Sequence, residues 1–160
     1  MPRIVVRFIR TPGFVTGAIC WATNSLFDHV EFGVEENGIV VGWIGAHAGV
    51  GVRQLPADYC APSFERRYAL PVTQAQYDRW RASALSDVGV GYNYLDIVGL
   101  ALRLRRLTSP RRRICSQWAF LKLLDAGVTT LNVLRPYAHL VTPEMLHLSP
   151  VFIGRSLPLT

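Results

Sequence analysis

Apolar positions alternate with polar ones early in the chain and recur at helical spacing later. Ile4 to Ile9 is an apolar, β-rich run broken by one charge, Arg7, and ended by Thr11-Pro12-Gly13. It predicts a first strand. Phe14 to Thr23 predicts a short helix with Phe14, Ala18 and Trp21 on one face. Over Asp28 to Val34 the period drops to two: Val30, Phe32 and Val34 point one way, and His29, Glu31 and Gly33 the other. Asn37-Gly38 tolerates the positive φ angles of a type I′ hairpin turn, so Ile39 to Ile44 reads as the return strand. Val50 to Leu55 and Arg66 to Leu70 read as further strands.

Helical signals follow. Thr73 with Gln76 three residues on forms a capping box for a helix to about Leu85. Leu95 to Leu104 reads as a second helix. Cys115 to Asp125 reads as a third, stopped by Ala126-Gly127, with Trp118, Ala119, Leu121 and Leu124 in the core. Thr142-Pro143-Glu144 opens a short terminal helix with Pro in the first turn. Strands cluster in the first part of the chain and the longer helices come after. The expectation is an α+β domain, an antiparallel meander packed against helices.

Length and composition narrow the class. At 160 residues, half of them hydrophobic, the chain suffices for one domain with its own core. There are no internal repeats. No apolar run reaches the length of about 18 residues that a membrane span needs, and the first residues, with Arg3 and Arg7, do not read as a secretory signal. The expected location is cytoplasmic, or wherever a phage or secretion apparatus delivers the protein. Nothing in the pattern signals an oligomeric state.

Three cysteines, Cys20, Cys60 and Cys115, with no CxxC spacing argue against a disulfide framework and against a zinc site; no cofactor is expected. The formal net charge is +6. Arg103, Arg105, Arg106, Arg111, Arg112 and Arg113 concentrate it just before Cys115. The run reads as a solvated loop, as a phosphate-binding patch, or as a local source of positive potential near Cys115. No aromatic residue interleaves it, so nucleic acid is not an expected partner.

Cys115 carries the chemistry. A thiol where a basic loop turns into a helix sits in positive potential and tends towards the thiolate. A thiolate is a nucleophile where a base stands nearby. Among the four histidines, His139 and His147 flank the terminal Thr-Pro-Glu segment as surface or packing residues. His47 lies among Gly45, Ala46, Ala48 and Gly49, a stretch expected to hold an imidazole poorly. His29 opens a strand ahead of the firmest hairpin, and Glu31 lies on the same strand face, suited to orient the ring.

Three segments also carry a resemblance. Phe27-Asp28-His29-Val30-Glu31-Phe32, the Gly91-Tyr92-Asn93-Tyr94 to Leu100 segment, and Ile114-Cys115-Ser116-Gln117 follow one another in the order His, Tyr, Cys. With the closing Thr142-Pro143-Glu144-Met145-Leu146, they are similar to the circularly permuted, YiiX-type branch of the NlpC/P60 papain-like superfamily, which includes the lecithin:retinol acyltransferases more distantly. The resemblance implies an antiparallel sheet or small barrel packed on helices. It also implies Cys115 as nucleophile, His29 as base, and Tyr92, Ser116 and Gln117 lining the substrate site. Relatives place the residue that orients the histidine on the following strand, which here reads Ile39 to Gly45 without a carboxylate, amide or imidazole. Glu31 is the choice for that role and His47 the alternative.

The expected activity is a cysteine hydrolase working through an acyl-enzyme; the resemblance implies that the bond is an amide in a peptide of the peptidoglycan type. A thiol acyltransferase or thioesterase on lipid substrates is the alternative, and an inactive papain-like binding module is a third reading.

Overall fold

A computed structural model of the chain describes residues 1–13, 16–17, 20–21, 24–92 and 112–157, without the side chains of Tyr92, Arg112 and Arg113. Five strands form the body of one antiparallel sheet. These are β1 (Arg3–Arg10), β2 (His29–Glu36), β3 (Ile39–His47), β4 (Gly51–Pro56) and β5 (Phe64–Pro71). A short edge strand, β8 (Ser156–Leu157), completes the order β4-β3-β2-β1-β5-β8. The expected meander is β2-β3-β4. The first strand lies centrally, between β2 and β5.

Period-two patterning gives the sheet two different faces. Ile4, Val6 and Phe8 of β1, Val30 and Phe32 of β2, and Ile44 and Ala46 of β3 join the hydrophobic core. Helices α1 (Gln74–Ser86) and α2 (Cys115–Asp125) cover that face. Phe32 is the contact point: its ring centroid lies 5.5 Å from Trp80 of α1 and 5.4 Å from Trp118 of α2. Aromatic packing of this kind contributes about 0.5–1.5 kcal/mol per pair beyond area burial. Buried Lys122 of α2 fastens the helices together, donating to the Ser83 carbonyl at 3.1 Å and pairing with Asp87 at 2.8 Å.

The opposite face of β1 and β2 holds Arg7, His29 and Glu31 beside apolar Val5 and Ile9, and it carries the polar chemistry described below.

The local signals at the element ends hold. Thr73 and Gln76 form the reciprocal capping box of α1. Asn37 and Gly38 take φ values of 52° and 80°, as the hairpin requires. Thr142 caps the short helix α3 (Pro143–His147) by accepting from the Met145 N–H. Two residues each form β6 (Gly91–Tyr92) and β7 (Arg112–Arg113), a parallel pair that puts the Tyr92 backbone beside Arg113.

Several expectations need correction. β3 does not stop at Ile44 but continues to His47, and β5 begins at Phe64 rather than Arg66. The Gly45–His47 stretch is paired with β4, Gly45 opposite Arg53, Ala46 opposite Val52 and His47 opposite Gly51. Its small residues answer close contacts rather than flexibility. A Cβ on Gly45 would lie 2.9 Å from the Glu31 Cβ, and one on Gly51 only 2.2 Å from the Val90 carbonyl oxygen. Trp21 is 86% exposed, so it does not pack as part of an apolar helix face. Leu124 is half-buried at the margin of the core. The predicted Leu95–Leu104 helix, much of the Phe14–Thr23 helix and most of the Arg103–Arg113 run lie outside the described residues. No helix among the described residues is long and apolar enough to cross a membrane.

Candidate functional site

The site begins with how the chain enters β2. The Asp28 carboxylate accepts from the Thr11 N–H and hydroxyl, both at 2.8 Å, and the Asp28 N–H donates to the Ile9 carbonyl at 3.1 Å. The residue before His29 is thereby tied to the end of β1. Cys115, the first residue of α2, places its Sγ 3.7 Å from the Asp28 carbonyl oxygen. The buried sulfur therefore lies at the same strand end as the imidazole of His29.

Glu31 stands at the centre of the arrangement. Its side chain is completely buried. Oε1 accepts from Arg7 on β1, from Nε at 2.7 Å and also from Nη2. Oε2 accepts from the Tyr59 hydroxyl at 2.9 Å. That same oxygen lies 3.5 Å from His29 Nε2 and 3.7 Å from His47 Nε2. The two imidazole centroids are 4.8 Å apart, and Tyr59 packs edge-on to His47. Arg7, only 1% exposed, lies over the Trp43 ring at 3.9 Å and reaches Glu65 at 3.7 Å. A buried guanidinium and a buried carboxylate are each tolerated here because each has several partners.

The charges follow from this geometry. Burial alone would depress the His29 pKa, but its interactions with Cys115 and Glu31 outweigh that and raise it to about 10. For Glu31, burial would favour the neutral form, yet His29 and Arg7 hold its pKa below the usual carboxylate range. His47 goes the other way: burial, with the positive charge of His29 added, lowers it to about 4. Burial and the adjacent Glu31 push the Tyr59 hydroxyl up, so it remains a donor. At neutral pH the cluster thus holds imidazolium His29, carboxylate Glu31, neutral His47 and guanidinium Arg7.

The other anticipated residues fall as follows. The Ser116 hydroxyl donates to the Val141 carbonyl at 2.6 Å inside the core, so its side chain anchors α2. Gln117 has its Oε1 buried without a hydrogen-bond partner among the described residues. The Tyr92 backbone approaches the Cys115 helix through β6 and β7, while its side chain lies outside the described residues. An open cleft of about 350 Å³ reaches the site past Ile9, Thr11, Asp28, His29, His47 and Tyr59.

Arg7 and Tyr59 were missed as site residues. Arg7 left a legible signal, a charge within an otherwise apolar strand, which once buried demands a counter-charge. Tyr59, in a loop, left none. No protein-family profile matches the chain, and no curated protein matches it significantly.

Proposed function

We propose that the chain is a cysteine hydrolase that cleaves an amide through a Cys115 acyl-enzyme, with His29 as acid–base and Glu31 as the residue that orients it. The observation that carries this reading is the convergence of three elements. The nucleophile candidate at the start of α2, the imidazole at the start of β2 and a carboxylate on the same strand face form a chain from Cys115 through His29 to Glu31. Nε2 of His29 lies 3.5 Å from Glu31, so in this reading Nδ1 is left to serve the sulfur.

In the proposed cycle the pair begins with its shared proton on His29. The Cys115 sulfur attacks the carbonyl carbon and forms the C–S bond. Collapse of the tetrahedral intermediate breaks the C–N bond, and His29 hands its proton to the departing amine. Neutral His29 then takes a proton from water as that water attacks the thioester, releasing the acid and restoring the pair. In this reading the free backbone N–H groups in the first turn of α2 hold the developing oxyanion, a use of helix termini that needs no side chain. The papain-like, permuted NlpC/P60 resemblance supports the same roles and supplies the substrate class, a peptide of the peptidoglycan type.

The test is mass spectrometry of the intact protein after incubation with muropeptides and with phospholipid. The reading expects an acyl adduct on Cys115 from the peptide, absent in Cys115→Ala. An adduct from phospholipid alone would replace amide hydrolysis by lipid acyl transfer.

A further inference from the structure

We propose that His29, Glu31 and His47 form a binding site for a divalent transition-metal ion of the zinc type, and that its occupation holds the enzyme inactive. The site stands on three atoms. Nε2 of His29 and Nε2 of His47 both face Oε2 of Glu31, at 3.5 and 3.7 Å, and all three donors lie within 4.8 Å of one another. Zinc binds imidazole nitrogen and carboxylate oxygen at about 2.0–2.2 Å, so tetrahedral ligands stand about 3.4 Å apart. The two histidine-to-carboxylate spacings, 3.5 and 3.7 Å, lie close to that value, and the two imidazole nitrogens, within 4.8 Å of each other, would draw together around the ion.

A second observation points to a ligand. Both Nε2 atoms are buried and have no hydrogen-bond partner among the described residues. Buried polar atoms are normally satisfied. Here two from different strands point at one carboxylate oxygen, and an ion between them would satisfy both.

The surroundings suit a metal. Three protein ligands leave a fourth position for water, the arrangement of open zinc sites, and the cleft past His47 and Tyr59 offers entry. Arg7 and Tyr59 hydrogen-bond the Glu31 carboxylate, as outer partners of ligating carboxylates do. The Arg7 charge is shared with Glu65, which moderates its repulsion of a cation. The cysteine spacing argued against a zinc site and no cofactor was expected; the ligands proposed here include no cysteine, so that spacing carries no signal of them.

Inhibition rests on the hydrolase reading; binding does not. A metal on Nε2 of His29 replaces the proton there and leaves Nδ1 carrying its own. Giving that proton to the leaving amine would make an imidazolate, a poor product, so His29 could no longer cycle as acid and base.

The experiment measures zinc affinity by competition with a chromophoric chelator, using the full chain with Cys115→Ser so that the thiol contributes nothing. One zinc per chain is expected, with affinity falling tenfold or more in His47→Gln and in Glu31→Gln. Circular dichroism checks that each variant folds; if Glu31→Gln does not, His47→Gln alone decides. Failure of Cys115→Ser to bind, or unchanged affinity in His47→Gln, overturns the proposal. Because this readout needs no turnover, it is separate from failure of the hydrolase reading. If the chain does hydrolyse a substrate, wild type should lose activity with zinc and regain it with chelator; zinc-bound enzyme at full activity would overturn the inhibitory half.

Discussion

Gly45 sits across from Glu31 so closely that a methyl group at position 45 would lie 2.9 Å from the Glu31 Cβ and 3.5 Å from His29 Nε2. The absent side chain is what lets the carboxylate occupy the space between β2 and β3. Gly45→Ala must displace Glu31, because the obstacle is the root of that side chain rather than its flexible end. Overpacking of this kind costs about 1–3 kcal/mol. We expect that loss in chemical denaturation, together with slower alkylation of Cys115 by iodoacetamide. Unchanged alkylation would show that Glu31 does not govern His29.

The Arg7–Glu31 pair predicts a non-additive double mutant. Arg7→Met alone leaves a buried carboxylate without its main partner, expected to cost about 3–5 kcal/mol. Adding Glu31→Gln removes the stranded charge and recovers much of that stability. It does not recover activity, because the neutral amide cannot hold an imidazolium as the carboxylate does; the loss is about 10²-fold or more in turnover. Denaturant midpoints and rates for the two single variants and the double variant check both halves.

The two histidines predict opposite pH effects. His47 has its pKa lowered to about 4, so between there and about 6.5 the unfolded chain binds a proton that the folded chain does not. Stability therefore rises with pH across that window, by at most about 3 kcal/mol. His47→Phe should flatten this segment of the stability curve. His29 has its pKa raised to about 10, so its contribution is full below about 6.5 and is lost as pH rises through about 10. His29→Ala should flatten the alkaline segment instead. Thermal unfolding across pH, wild type against each variant, measures both.

Much of this arrangement was legible in the sequence because it is local. The alternation from Asp28 to Val34 correctly put His29 and Glu31 together on one face, the Asn37-Gly38 turn fixed the hairpin, and the Ala126-Gly127 stop ended the Cys115 helix. What failed was the meaning of small residues. Gly45, Ala46 and Ala48 suggested a slack loop around His47, whereas pairing with β4 makes Gly45 to His47 part of a strand that presses His47 beside His29. The size of a side chain does not say whether it is small for freedom or for lack of room; only the opposing strand decides. Arg7 and Tyr59 reach Glu31 across 24 and 28 positions of sequence, and no period links them.

His29 activates Cys115 in the proposed cycle. The most direct measurement compares iodoacetamide labelling rates of Cys115, Cys20 and Cys60 at neutral pH, peptide by peptide, in wild type and His29→Ala. Cys115 is expected to label much the fastest in wild type, and His29→Ala to abolish its lead. Equal, slow labelling of all three cysteines, or a Cys115 lead that survives His29→Ala, would contradict it.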